Sequence, residues 1–132
     1  MRGVQKLGFD AIAAAWLHRA ALPLPLDLLL PAGATALASN LINNLPAALL
    51  ARGILEQSGA GEPAIYGALL GADLGPNVTI FGSLATLLVL ASARKRGEDL
   101  RGKDLLRVGL IVTPLVLLGA CAALWLSFAL VR

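Results

Sequence analysis

The sequence predicts an all-α integral membrane fold: a re-entrant helical hairpin, then a broken transmembrane helix, then a terminal transmembrane helix. Three observations carry this reading. Residues 108–130, VGLIVTPLVLLGACAALWLSFAL, hold no charge over 23 residues, enough helix at about 1.5 Å per residue to cross roughly 30 Å of hydrocarbon. Two further largely apolar runs, 28–56 and 63–93, are each interrupted near their centres by polar, glycine or proline residues. The composition agrees, with 58% hydrophobic residues, 14% charged and a mean hydropathy of +0.78. Too few polar groups remain to cover a domain of this size in water.

Residues 1–20 place Val4, Leu7, Ala11, Ile12, Ala15 and Trp16 on one helical stripe, with Gln5, Lys6, Asp10 and Arg19 largely off it, which predicts an interfacial helix. Asp10 interrupts any signal-peptide pattern. Pro23, Pro25 and Pro31 mark a bend into the hairpin. Within 28–56, Ser39, Asn40, Asn43, Asn44 and Pro46 cluster between flanks of about eleven residues, each only about 16 Å of helix. Two such half-bilayer arms joined by a polar turn make a re-entrant hairpin. In 63–93 the only charge is Asp73, and Gly71, Gly75 and Pro76 interrupt the run at its centre. A spanning helix broken there is expected, with Pro76 restarting it. The segment 94–107 carries six of the eleven Lys and Arg residues, so the positive-inside rule makes it a cytoplasmic loop and puts the hairpin mouth and the C-terminus outside.

Several function classes fall away. The net charge of +3 comes with only 5% aromatic residues, a poor match to a nucleic-acid surface. Cys121 is the single cysteine and His18 the single histidine, so neither a disulfide framework nor a metal-ligand set is encoded. No nucleophile with a base and an orienting group at workable spacing, and no phosphate-binding glycine loop before a Lys, points to an enzyme or a cofactor. Trp16 and Trp125 fit interface anchors.

The interrupted helices carry the chemistry. At Asn40–Pro46 one half-helix ends and another starts, with Asn43 or Asn44 as N-cap and Pro46 in the first turn, where its missing N–H is harmless. At Asp73-Leu74-Gly75-Pro76-Asn77, Gly75 permits an unusual backbone angle and Asn77 offers an amide. Free carbonyls and N–H groups at such breaks must face protein, water or a ligand. Paired breaks at mid-membrane are the sequence pointer to a secondary transporter. For Asn40, Asn43 and Asn44 capping is compatible with a site role, whereas for Ser39, Asn77, Thr79 and Ser83 helix back-bonding accounts equally well. Asp73, an intramembrane carboxylate, needs a partner or a function.

Ser39-Asn40-Leu41-Ile42-Asn43-Asn44-Leu45-Pro46, Gly71-Ala72-Asp73-Leu74-Gly75-Pro76-Asn77 and Gly82-Ser83-Leu84-Ala85-Thr86, in that order and spacing, resemble the C-terminal part of the arsenite efflux pump family of the ion-transporter superfamily. The resemblance runs from about residue 4 to the end. It implies one half of an inverted-repeat transporter in the plasma (inner) membrane, exporting arsenite or antimonite in exchange for protons. It also implies a substrate site drawn from Ser39, Asn40, Asn43, Asn44, Asn77 and Thr79, with Asp73 as the coupling carboxylate. Beyond the lipid bilayer, the expected partners are that substrate, protons and the missing N-terminal repeat or another subunit. Another anion or a dicarboxylate, or a non-transporting assembly subunit, are the alternatives.

Overall fold

The computed structural model describes residues 25–98 and 101–131. The expected interfacial helix over 1–20 lies outside the described residues. Among the described residues five α-helices follow in order: α1 (Leu26–Ile42), α2 (Asn44–Ser58), α3 (Glu62–Leu74), α4 (Leu84–Lys95) and α5 (Gly102–Val131). A single 3-10 turn, Gly75–Asn77, follows α3. No strand occurs among the described residues.

The hairpin differs from its sequence expectation in arm length. Ser39 and Asn40 stay inside α1, and only Asn43 leaves helical geometry, at φ 79 and ψ 152. Ser39 is buried, and the Asn40 side chain donates back to the Ala36 carbonyl at 2.9 Å, so neither interrupts the helix. The arms therefore have 17 and 15 residues, about 25 and 22 Å rather than half a bilayer each. A left-handed Gly59 (φ 64) ends α2 and turns the chain into α3.

Packing of α1 on α3 sets the rest. A Cβ added at Gly67 would collide with the Leu28 backbone, at Gly71 with Ala32 and at Gly75 with Ala36. The same offset of 39 residues joins Asn40 to Thr79. Residue numbers rise together along both helices, so α1 and α3 run parallel and α2 returns antiparallel beside them. Glycines four apart lie on one helical face and let the two backbones touch, the packing that substitutes for a hydrophobic driving force inside lipid. Against this pair, α5 runs the other way. Gly109 meets Asn77 and Val78, Cys121 is buried with Leu28 and Ala32, and Phe128 reaches the Tyr66 ring at 6.0 Å.

α5 is long and apolar enough to cross a membrane, and only 17% of its most apolar stretch is buried within the chain. That exposure separates it from the core helix of a water-soluble domain, which buries its apolar residues. Two boundaries move relative to expectation. Arg94 and Lys95 close α4, where cations suit a helix C-terminus, and α5 starts at Gly102 with Asp104 in its first turn. Of the described part of the basic segment, residues 96–98 and Arg101 lie outside these helices.

Candidate functional site

Both interruptions arise locally. At the hairpin tip, Asn43 adopts a backbone region that suits glycine, and α2 begins at Asn44 with Pro46 as its third residue. Asn43 occupies the N-cap position but does not cap with its side chain. Its Nδ2 instead donates to the Phe81 carbonyl at 3.1 Å. After α3, Pro76 does not restart the helix as the sequence reading expected. It lies buried in the 3-10 turn, with Gly82 folded back against its carbonyl. Helix resumes only at Leu84, where the Ser83 hydroxyl accepts from the Ala85 N–H at 3.2 Å. Residues 78–83 are irregular, and the hairpin tip bonds to main-chain groups of Thr79, Phe81 and Gly82 within them.

Those cross-links bring the two breaks together. Asn40 Nδ2 donates to the Ala36 carbonyl at 2.9 Å and to the Gly75 carbonyl at 2.7 Å. Asn40 Oδ1 accepts from the Thr79 N–H at 2.9 Å. The Thr79 hydroxyl lies 3.1 Å from both Oδ1 and the main-chain oxygen of Asn40. One step further on, the Asn44 N–H donates to the Gly82 carbonyl at 3.0 Å. Five of the expected site residues, Asn40, Asn43, Asn44, Gly75 and Thr79, are thus joined directly or through one neighbour.

The remaining expected residues surround this nest in different states. Ser39 is fully buried and its Oγ has no hydrogen-bond partner. Asn77 is exposed and donates from Nδ2 to the Leu74 carbonyl at 3.1 Å, which leaves its Oδ1 open. Asp73 is exposed one helical turn before Asn77, without a hydrogen bond or ion pair to any described residue. The carboxylate therefore points out of the unit rather than into the nest. Arg52 sits about 12 Å along α2 from Asn44 and pairs with Glu56 at 2.7 Å.

Depth is the other difference. Gly109, against Asn77, is the second residue of the uncharged run 108–130. The breaks thus lie beside the charged end of α5 instead of halfway along it, in keeping with the long hairpin arms. Sequence reasoning missed the Gly67-Gly71-Gly75 seam and the roles of Gly82 and Gly109. The four-residue glycine spacing was the available signal for the seam.

An all-helical arrangement among the described residues, with one helix long and apolar enough to cross a membrane, is that of a helical membrane protein. The arsenical pump membrane protein family matches residues 27–128, and the chain belongs to that family. It is 36% identical over 99 residues to the arsenical pump membrane proteins of Escherichia coli and of Yersinia enterocolitica, covering 72% of this chain and 23% of each relative. A 46 kDa membrane protein of Mycobacterium leprae is 30% identical over 110 residues, covering 78% of this chain and 26% of that protein. The chain thus spans about a quarter of the length of these relatives. No solved structure matches it. The family is one of membrane pumps rather than of enzymes.

Proposed function

We propose that this chain supplies one half of the substrate site of a proton-coupled secondary transporter in the inner membrane that exports arsenite and antimonite. The observation that supports it best is the meeting of the hairpin tip and the α3 break through Asn40, Asn43 and Asn44. Broken helices brought to one level gather amide and hydroxyl groups at their ends, the kind of group such transporters use to hold cargo. These side chains are neutral amides and hydroxyls. Arsenite is an uncharged trihydroxide near neutral pH, and such groups can both donate to and accept from it. A dicarboxylate would favour a cation at the break, and Arg52 is both distant and already paired.

In this reading the hairpin is re-entrant, entering from the outer face with its mouth at Gly59–Gly61, and its tip reaches toward the cytoplasmic, basic end of α5. The open groups are the Asn43 Oδ1, the Asn44 side chain and the Asn77 Oδ1. Asp73, on the outward face, carries the coupling proton against whatever completes the site. That complement is the other repeat of an inverted pair, from the remainder of the pump or another subunit. The test is arsenite resistance in a pump-deficient host. Resistance is expected when the chain is co-expressed with the rest of a family pump and is absent for the 132-residue chain alone. Full resistance from the monomeric chain alone refutes the half-site reading.

A further inference from the structure

Among the polar groups at the breaks, Asn40 differs from its neighbours in having nothing left to offer. Both amide protons are used, by Ala36 and Gly75, and the carbonyl oxygen receives the Thr79 N–H and shares the Thr79 hydroxyl. An asparagine side chain has two donors and two acceptor sites. A ligand reaching Asn40 would have to displace a bond to the main chain of α1, of the 3-10 turn or of Thr79. Asn44 and Asn77 keep side-chain groups that no described residue takes. Asn40 also stands where the glycine seam ends. Gly67, Gly71 and Gly75 hold α1 and α3 in register by backbone contact, and the next pair at the same offset is Asn40 with Thr79. Past Thr79 the chain is irregular and the α1–α3 glycine series stops, the next glycine, Gly82, meeting Pro76 rather than α1.

We propose that Asn40 is a positioning residue that extends the α1–α3 register across the break through Thr79, so that the open groups of Asn44 and Asn77 face one shared space, while Asn40 itself does not contact substrate. This rests on the transport reading for its purpose and not for its geometry. Asn40 and Thr79 are half-buried, and hydrogen bonds partly withdrawn from water are directional enough that losing one frees the segment locally. The bond from the Asn44 N–H to the Gly82 carbonyl is the reporter, because Asn40 and Thr79 do not take part in it.

The experiment is residue-resolved amide hydrogen exchange on the 132-residue chain in lipid nanodiscs, without arsenite. Thr79→Val removes the hydroxyl and retains the shape. It should accelerate exchange at Asn44 about tenfold, the worth of roughly one hydrogen bond, while amides of the Gly67–Gly75 seam stay within about twofold of the parent. Thr79→Ser restores the hydroxyl and should return Asn44 close to the parent rate. Asn40→Ala should match or exceed Thr79→Val. The proposal is overturned if Asn44 exchange is unchanged in Thr79→Val, if seam and tip accelerate equally, or if Thr79→Ser fails to rescue. Because arsenite is absent, a failure here leaves the transport reading standing. Failure of arsenite resistance with intact exchange coupling would instead overturn transport alone.

Discussion

Gly71→Ala adds one methyl group where α1 and α3 are closest, and its effect can be worked from the geometry. The new Cβ would stand 3.0 Å from the Ala32 carbonyl carbon, 3.1 Å from its Cα and nearer still to its oxygen, where ordinary contact starts at 3.4 Å. The obstacle is main chain, so no rotamer change relieves it. Separating the helices by about 1 Å forfeits a quarter to a half of the dispersion attraction along the seam, and overpacking of this kind costs about 1–3 kcal/mol. The Asn40 to Gly75 bond, one turn away at 2.7 Å, would stretch toward about 3.7 Å and be lost, roughly another 1 kcal/mol. Alanine's better helix propensity returns about 1 kcal/mol. The net expectation is destabilisation of about 1–3 kcal/mol. Gly33→Ala is the control, since nothing lies within 4 Å of its Cβ, and it should gain stability from propensity alone. The assay is SDS titration of the chain folded in mild detergent, followed by Trp125 fluorescence in a Trp16→Phe background and by helical circular dichroism. A Gly71→Ala chain as stable as Gly33→Ala would refute the parallel glycine seam.

Asn43 at φ 79 and ψ 152 carries strain of about 1–3 kcal/mol that glycine would not. Asn43→Gly should therefore unfold later in the same titration than Asn43→Ala, both having lost the Phe81 bond; the reverse order would contradict a strained tip. Ser39→Ala removes a buried hydroxyl with no partner, so stability in the same titration should hold or rise by about 1 kcal/mol, and a clear loss of stability would contradict an unpaired hydroxyl. In an assembled pump Asp73→Asn should retain binding but flatten the pH dependence of efflux, and an unchanged pH profile would make Asp73 structural. Single cysteines at Ser92–Gly97, in a Cys121→Ala background, should label from the cytoplasmic side and one at Gly59 from the outside; labelling of both from one face would break the topology.

How far the residues alone could lead depends on the kind of information each feature carries. The 23-residue uncharged run names a spanning helix because length and apolarity suffice. The interruptions near Asn43 and Gly75 are written in local chemistry, Asn-Asn-Leu-Pro and Gly-Pro-Asn, which disfavour continuous helix whatever surrounds them. Ser39 and Asn40 looked the same in sequence yet stay helical, because a neighbour 35 to 39 residues away satisfies Asn40. No local rule reports such a partner. Gly71 and Gly75 were read as breakers, whereas their four-residue spacing with Gly67 serves helix contact. Which amides remain open depends on the 39-residue offset, and only the packed structure contains that.

The account depends most on the claim that open amides at the joined breaks hold arsenite. The direct measurement is arsenite uptake into everted membrane vesicles from cells co-expressing this chain and the rest of a family pump, at saturating and limiting arsenite. With parent sequence, uptake driven by a proton gradient is expected. With Asn44→Ala and Asn77→Ala together, uptake at limiting arsenite should drop by about tenfold or more, as two hydrogen bonds are removed, while membrane insertion and the Thr79–Asn40 link persist. Uptake at the parent rate in that double variant, at both concentrations, would contradict the account.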